Sequence, residues 1–409
     1  ITIHISNKIL IYRKMKEILV YADEHNNKNI FLVEEGKITE NYEENFNKEK
    51  LEGDIYLGKV QKILPGMQAA FVDIGKSKNA FLHIKDIIPK VSNETGNKNE
   101  DFEKININKY IRVGMPIMVQ INKDTCGSKG AKATTHIKLS GRFIVLIPNV
   151  NFITVSTKIE DTEEKNRLKE IVKEIKEENV GIIIRTSAQG KSKLEIQEEL
   201  NKIIAKWESI KKKANIIIQD KQSIPCILDK NYKILEKLVI DFMDKDLNKI
   251  IVNKEDLKNN ISDFLAENEK SDIVVEVKKD IFNMYDVQKQ YDKLKERKVW
   301  LKCGGFITID KTEALTAIDV NTGKYTGKDA KEDTVFVVNK EATMEIAKQI
   351  RLRDIGGIII VDYIDMNEKN RNSILEIWNK CIKLDRSKVQ IIGFTPLNLL
   401  EITRKHMWS

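Results

Sequence analysis

The chain has 409 residues, with 70 basic and 62 acidic side chains, a net charge of +8, 41% apolar content and 32% charged content. That length exceeds one ordinary core and fits about two to four. The balance is globular rather than disordered, and no apolar run reaches the length of a membrane span. The positive excess is either compositional, given the heavy use of Lys, Ile and Asn, or an attraction for a polyanion; its size alone does not decide.

Ile1 to Lys14 lack an initiator Met and a small-residue cleavage pattern, so no signal peptide is expected. Met15-Lys16-Glu17-Ile18-Leu19-Val20 reads as a natural start. Glu17–Tyr21 and Asn29–Val33 are expected to pair as strands. Further short strands follow at Asp54–Val60, Ala70–Ile74, Ala80–Ile84 and Pro116–Ile121. Turns at Leu64-Pro65-Gly66-Met67 and Gly75–Asn79 separate them, and a polar loop spans Ser92–Asp101. Many short strands with Gly-rich turns fit a small closed barrel of the OB type.

A different texture begins at Thr162. The spacing of Leu168, Ile171, Val172 and Ile175 predicts a helix over Thr162–Asn179, followed by a strand at Val180–Thr186. Ile196, Leu200, Ile203, Ile204 and Trp207 mark one face of a long second helix, so this is a separate α/β unit. Residues 231–294 add helices and a strand at Asp272–Val277. In the last segment, strands Phe306–Asp310 and Ala314–Asp319 precede a helix from about Asn339 to Arg353, which Gly356-Gly357 should end. The buried strand Ile358–Val361 closes on Asp362, and helix Arg371–Leu384 and strand Val389–Ile392 follow. The β-α-β-α-β order predicts a mostly parallel, helix-covered sheet.

Cys126, Cys226, Cys303 and Cys381 are isolated, without a CxxC. A disulfide framework and a zinc site within the chain are not expected, and the compartment reads as reducing cytoplasm.

Asp319 and Asp362 each close an apolar strand of one unit, with Asn321 and Asp365 just beyond. Side chains at the carboxyl ends of parallel strands meet along one edge. Two close carboxylates repel unless a cation or proton joins them, and Mg²⁺ takes one or two carboxylates plus water. An Asp after a strand is equally a turn former or helix cap, and Asp365 in particular is placed to cap the next helix. Arg351 and Arg353 offer guanidinium groups to phosphate, although cations also favour a helix C-terminus. Phe71 and Phe81 flank a Lys-rich turn where an OB-type barrel stacks bases, or else they pack a core. Lys129 sits on a loop of the same barrel. Arg185-Thr186 ends a strand before a polar loop and a helix start, a combination suited to phosphate.

Taken together, these segments resemble the ribonuclease E/G family. The resemblance is carried by Leu64–Gly75 (LPGMQAAFVDIG), Lys129-Gly130-Ala131, Ile184-Arg185-Thr186, Thr312–Gly323 (TEALTAIDVNTG) and Ile346–Met366 (IAKQIRLRDIGGIIIVDYIDM), in family order. It implies a multidomain α/β chain. A ribonuclease-H-like fold (15–50 and 231–294) would receive an inserted OB-type RNA-binding barrel (51–132) and a 5′-phosphate sensor domain (133–230). An α/β deoxyribonuclease-like catalytic domain (295–409) would follow.

The resemblance further implies an endoribonuclease that cuts A/U-rich single-stranded RNA to 5′-phosphate and 3′-hydroxyl ends. Asp319 and Asp362 match its Mg²⁺ ligands, and Asn321 matches a catalytic-site polar residue. Phe71, Phe81 and Lys129 match RNA contacts of the barrel. Val145, Arg185 and Thr186 match the 5′-monophosphate pocket. The family's zinc-linking CxxC is not among these residues, so zinc is not expected here and the family's homo-oligomeric link is expected to be weakened. Two other classes compete. One is a non-catalytic RNA-binding protein, against which both strand-end aspartates with Asn321 argue. The other is a deoxyribonuclease or phosphoesterase, for which the Asp motifs lack a His.

Overall fold

The computed structural model describes residues 16–45, 50–87, 106–124, 130–220, 223–243, 247–270, 272–323 and 331–407. The chain forms two compact units, one from residues 1–48 and 234–408 and the other from residues 49–233.

The first unit opens with an antiparallel meander, β1 (Lys16–Ala22), β2 (Lys28–Glu34) and β3 (Lys37–Glu44).

The second unit begins with β4 (Ile55–Leu64), β5 (Ala69–Asp73), β6 (Ala80–His83), β7 (Pro116–Lys123) and β8 (Lys132–Thr134). They run in the order β4-β5-β6-β8-β7, and β7 returns to β4, closing a five-stranded barrel. Strand alternation fills its core with Ala70, Val72, Ala80, Leu82, Val119, Ile121 and Ala133. Phe71 and Phe81 fall at the intervening positions, half-buried on the outside. Gly130 lies against the barrel so tightly that a Cβ there would come within 2.1 Å of the Asn79 carbonyl oxygen, which explains a glycine in that motif. The Ser92–Asp101 loop and Lys129 lie outside the described residues.

A second sheet follows in that unit. Strands β9 (Leu139–Ser140), β10 (Ile144–Pro148), β11 (Phe152–Val155) and β12 (Val180–Ile184) lie in the order β11-β12-β10-β9. Helices α1 (Thr162–Ile175) and α2 (Lys193–Gln219) pack on it through Leu168, Val172, Ile196 and Leu200, against Ile144, Leu146, Ile182 and Ile184. Asp161 caps α1 by accepting from the N–H of Glu163 at 2.9 Å, and Ser192 with Glu195 forms a capping box at the start of α2. Strand β13 (Cys226–Asp229) then joins the free side of β4.

On returning to the first unit the chain forms α3 (Ile234–Phe242), β14 (Leu247–Val252), α4 (Glu255–Glu267), β15 (Val274–Val277) and α5 (Val287–Lys295). β14 pairs in parallel with β1, giving a mixed sheet ordered β15-β14-β1-β2-β3. Next come β16 (Lys298–Trp300), β17 (Phe306–Lys311), β18 (Leu315–Asn321), α6 (Lys331–Leu352), β19 (Gly357–Asp362), α7 (Glu368–Cys381), β20 (Val389–Phe394) and β21 (Leu399–Arg404).

This last sheet, ordered β16-β17-β18-β19-β21-β20, departs from the expected parallel arrangement. Only β18 and β19 pair in parallel; every other neighbour is antiparallel. The reason is three hairpins. β16-β17-β18 is a meander, and β21 folds back between β19 and β20, so the crossover through α7 skips one position. The helices α6 and α7 pack through Val338, Ala342, Ile346, Ile350, Ile374 and Trp378 on the sheet face bearing Ile307, Ile318, Val320, Ile359, Val361 and Ile402. The opposite face carries Asp319, Asp362, Trp300 and Ile358, all exposed.

Two local expectations are also corrected. α6 stops at Leu352, and the turn after it is made by Asp354 in the left-handed region (φ 43°) rather than by Gly356-Gly357. The cap of α7 is Asn367, whose side chain accepts from the N–H of Asn370 at 2.9 Å, so Asp365 is left outside the helix.

Candidate catalytic and RNA-binding sites

Parallel pairing of β18 with β19 puts Asp319 directly beside Asp362. In-register neighbours on adjacent strands are about 4.8 Å apart at Cα. The row extends across the sheet as Lys298, Thr308, Asp319, Asp362 and Leu399, each opposite the next. Asn321, two residues beyond Asp319, donates from Nδ2 to Asp319 Oδ2 at 2.6 Å. Gly305 allows the backbone to come close behind it, since a Cβ there would lie 2.8 Å from the Asn321 carbonyl oxygen.

The segment carrying Asp362 is held from beneath. Tyr363 points to the packed face, where its hydroxyl meets Thr343 Oγ1 at 2.7 Å and accepts from Trp378 Nε1 at 2.9 Å. Asn339, fully buried on α6, donates from Nδ2 to the Ile364 carbonyl at 2.8 Å. Strand alternation therefore converts a rigid buried Tyr into a fixed Asp on the opposite side. Neither Tyr363 nor Asn339 was singled out in the sequence. The only available signal was that Tyr363 follows Asp362 in an alternating strand.

Partial burial, then the negative charges of Asp319 and Asp365, hold the Asp362 carboxyl above its ordinary range. This uncompensated charge, in an all-oxygen donor set, is what a hard divalent cation relieves. Among the described residues no group of three or more His, Cys, Asp and Glu is placed to hold a metal. Two carboxylates, with water completing the shell, suffice for Mg²⁺, so the residues present fit that ion.

On the barrel, Phe71 and Phe81 are cross-strand partners with ring centroids 6.0 Å apart, edge to face. Their row continues to Lys62 on β4 and Lys132 on β8. Two aromatics between two lysines suit a single strand, whose bases stack and whose phosphates pair. The core-packing alternative for these Phe residues does not hold, because the alternate positions fill the core. Lys62 and Lys132 escaped the sequence reading. A bulge between Val60 and Lys62 shifts the register that aligns Lys62 with Phe71.

Val145, Arg185 and Thr186 come together at one end of the β10–β12 ladder. Val145 pairs with Ile183, and the Arg185 N–H donates to the Phe143 carbonyl at 2.7 Å. Arg185 Nη1 donates to the Gly141 carbonyl at 2.6 Å, and Thr186 Oγ1 lies 3.1 Å from Ser156 Oγ. Glu199 on α2 accepts from the N–H groups of Phe143 and Ile144 at 2.7 and 3.0 Å, which fixes this loop. Thr186 opens a three-residue 3₁₀ turn in the expected polar loop, and α2 starts beyond it at Lys193.

The sequence profile of the Ribonuclease E/G family matches residues 138–407. The chain belongs to the ribonuclease E/G family. It is 39% identical over 361 residues to ribonuclease G of Salmonella typhimurium (strain SL1344), covering 86% of this chain and 72% of that protein. To ribonuclease G of Haemophilus influenzae it is 36% identical over 388 residues, covering 93% and 77%. Similarity extends to ribonuclease E of Buchnera aphidicola subsp. Schizaphis graminum, 33% identical over 402 residues, covering 97% of this chain and 41% of that protein.

Within this family member, Arg351 and Arg353 are not gathered with the aspartates. They close α6 at the edge of the sheet where β19 begins, whereas Asp362 ends β19, roughly 17–20 Å away by strand rise. Arg351 Nη1 donates to the Leu384 carbonyl at 3.1 Å. Arg353 donates from Nε to Gln349 Oε1 at 2.7 Å and from Nη1 to the Glu296 carbonyl at 2.8 Å.

Proposed function

We propose that this chain is an endoribonuclease that hydrolyses phosphodiester bonds of single-stranded, A/U-rich RNA with Mg²⁺, leaving 5′-phosphate and 3′-hydroxyl ends, in RNA processing and decay. Family membership and relatives named ribonuclease G and ribonuclease E support the endoribonuclease role. The observation that carries the chemistry is the in-register pairing of Asp319 with Asp362 on the exposed sheet face, with Asp362 held above its ordinary range.

Asp319 and Asp362 would hold the magnesium ion, which when bound polarises the scissile phosphate and activates water. Asn321 keeps Asp319 in one orientation through its 2.6 Å hydrogen bond. Tyr363 and Asn339 keep the Asp362 segment from shifting. Phe71 and Phe81, with Lys62, Lys132 and Lys129, would bind the strand on the barrel. Val145, Arg185 and Thr186 would take the 5′-monophosphate.

In domain terms, the 15–50 and 231–294 segments form a ribonuclease-H-like part in this proposal; the pairing of β1 with β14 across them supports it. The barrel and the 133–230 sensor are insertions into that part, and residues 295–409 form the deoxyribonuclease-like catalytic domain. Among the described residues no helix is long and apolar enough to cross a membrane.

The test is cleavage of a 5′-monophosphorylated A/U-rich oligoribonucleotide, with matched DNA as control, with and without Mg²⁺. Cutting of RNA alone, only with the ion, is the expected result. Binding without cutting would favour the purely RNA-binding alternative. Arg185→Ala is expected to shrink the rate advantage of 5′-monophosphate over 5′-hydroxyl substrate by about tenfold, since a charged hydrogen bond contributes ~1.5–3 kcal/mol. An unchanged ratio would remove the sensor assignment.

A further inference from the structure

The exposed sheet face carries a second feature beside the aspartates. Trp300, on the edge strand β16, is 58% exposed. Its ring meets Phe306 of β17 at 5.3 Å between centroids, tilted 60°. Lys298, two residues before Trp300 and on the same face, sets Nζ 4.1 Å from the Trp300 ring centroid and 3.5 Å from that of Phe306. Burial does not explain this cluster. A Trp that served the core would turn to the other face, where Ile307 and Val338 are fully covered.

Register fixes its place. Trp300, Phe306 and Asn321 form one row across β16, β17 and β18, while Lys298, Thr308, Asp319 and Asp362 form the next. Phe306 is thus the diagonal neighbour of Asp319, about 7–8 Å away. Trp300 lies one strand further out, about 12 Å from Asp319 by strand spacing and rise. An aromatic surface of this kind accepts any base by stacking, and an adjacent ammonium suits the phosphate that follows it.

We infer that Trp300, Phe306 and Lys298 form a stacking platform for a nucleobase of the RNA strand flanking the scissile phosphate. The platform fixes which phosphodiester bond lies over Asp319 and Asp362. This rests on the nuclease reading of those aspartates.

The experiment uses the full chain carrying Asp319→Asn, titrated with an A/U-rich oligoribonucleotide and with a series bearing one abasic residue at each successive position. Wild-type cleavage of the intact oligonucleotide is mapped in parallel. Trp300→Ala is expected to weaken binding about tenfold, equivalent to ~1.4 kcal/mol and within the range for one stacked base. Trp300→Phe should restore most of it. One abasic position flanking the mapped cut should cost affinity when Trp300 is present and nothing after Trp300→Ala.

Equal affinity and the same abasic profile in both proteins would overturn the platform while leaving the nuclease reading intact. A change in sedimentation on Trp300→Ala with unaltered RNA binding would also overturn it, and would assign the surface to a second copy of the chain. A wild-type protein that binds RNA through Trp300 but does not cut would keep the base-stacking surface, remove its role in placing a scissile bond, and sink the nuclease reading.

Discussion

Asp319→Asn is expected to lower RNA cleavage by on the order of 10³-fold while RNA binding survives, and Asp362→Asn should do the same. If the two carboxylates share a cation as proposed, removing one withdraws several kcal/mol of transition-state stabilisation, and each ~1.4 kcal/mol is tenfold in rate. Both side chains are exposed on the sheet surface, so neither change disturbs the core. A second readout does not depend on activity. The charge of Asp319 raises the Asp362 carboxyl, and neutralising it stabilises ionised Asp362, so the titration of Asp362 in metal-free protein should move down. Carboxyl resonances followed by NMR across the acid range would show it. Undiminished cleavage by either variant would remove the metal assignment. A titration of Asp362 that ignores Asp319→Asn would mean that the two carboxylates are not electrostatic neighbours.

What the sequence revealed about this site, and what it concealed, has a physical pattern. Asp319 and Asp362 are legible because each follows an apolar run, although Asp319 lies two residues inside β18 rather than at its end, and alternation within Leu315–Asn321 and Gly357–Asp362 fixes the exposed face. That the two face each other is a statement about register between strands separated by a 22-residue helix, which local patterning does not encode. The parallel sheet was expected because helices alternate with strands. β21 alternates, with Leu400 and Ile402 inward and Glu401 and Thr403 outward, but a run this short does not say that the strand inserts antiparallel between β19 and β20. Lys298 and Trp300 lie on a strand of three residues, too short for any periodicity. Asp365 and Asn367 carry similar capping chemistry, and backbone geometry at Asn367 decides between them. The barrel was readable as many short strands, whereas the Lys62–Phe71–Phe81–Lys132 row depends on a bulge that no residue announces.

Arg404→Met is expected to destabilise the first unit by about 3–5 kcal/mol, the usual cost of removing one member of a buried ion pair. The Arg404 side chain is wholly inaccessible, and Asp385 beside it is 6% exposed. Nε donates to Asp385 Oδ2 at 2.8 Å, and Nη1 donates to Asp354 Oδ1 at 2.7 Å and to the Ile355 carbonyl at 3.0 Å. One guanidinium thereby ties β21 to the turn after α6 and to the loop before β20. Met fills much the same volume, so the loss is chiefly that of the counter-charge to the buried Asp385 carboxylate, which keeps its 2.8 Å hydrogen bond from the Ser387 N–H. The double variant Arg404→Met/Asp385→Leu should recover part of the stability, because the buried carboxylate is gone, less the cost of the Ser387 N–H that loses its acceptor. Chemical denaturation of the single and double variants measures both effects. Equal destabilisation by the two would assign the cost to packing instead. Arg404 pairs in register with Gly357, at the far end of β19 from Asp362. The molecules that stay folded should therefore cut RNA at the wild-type rate, which separates this structural ion pair from the proposed catalytic pair at the other end of the same strand.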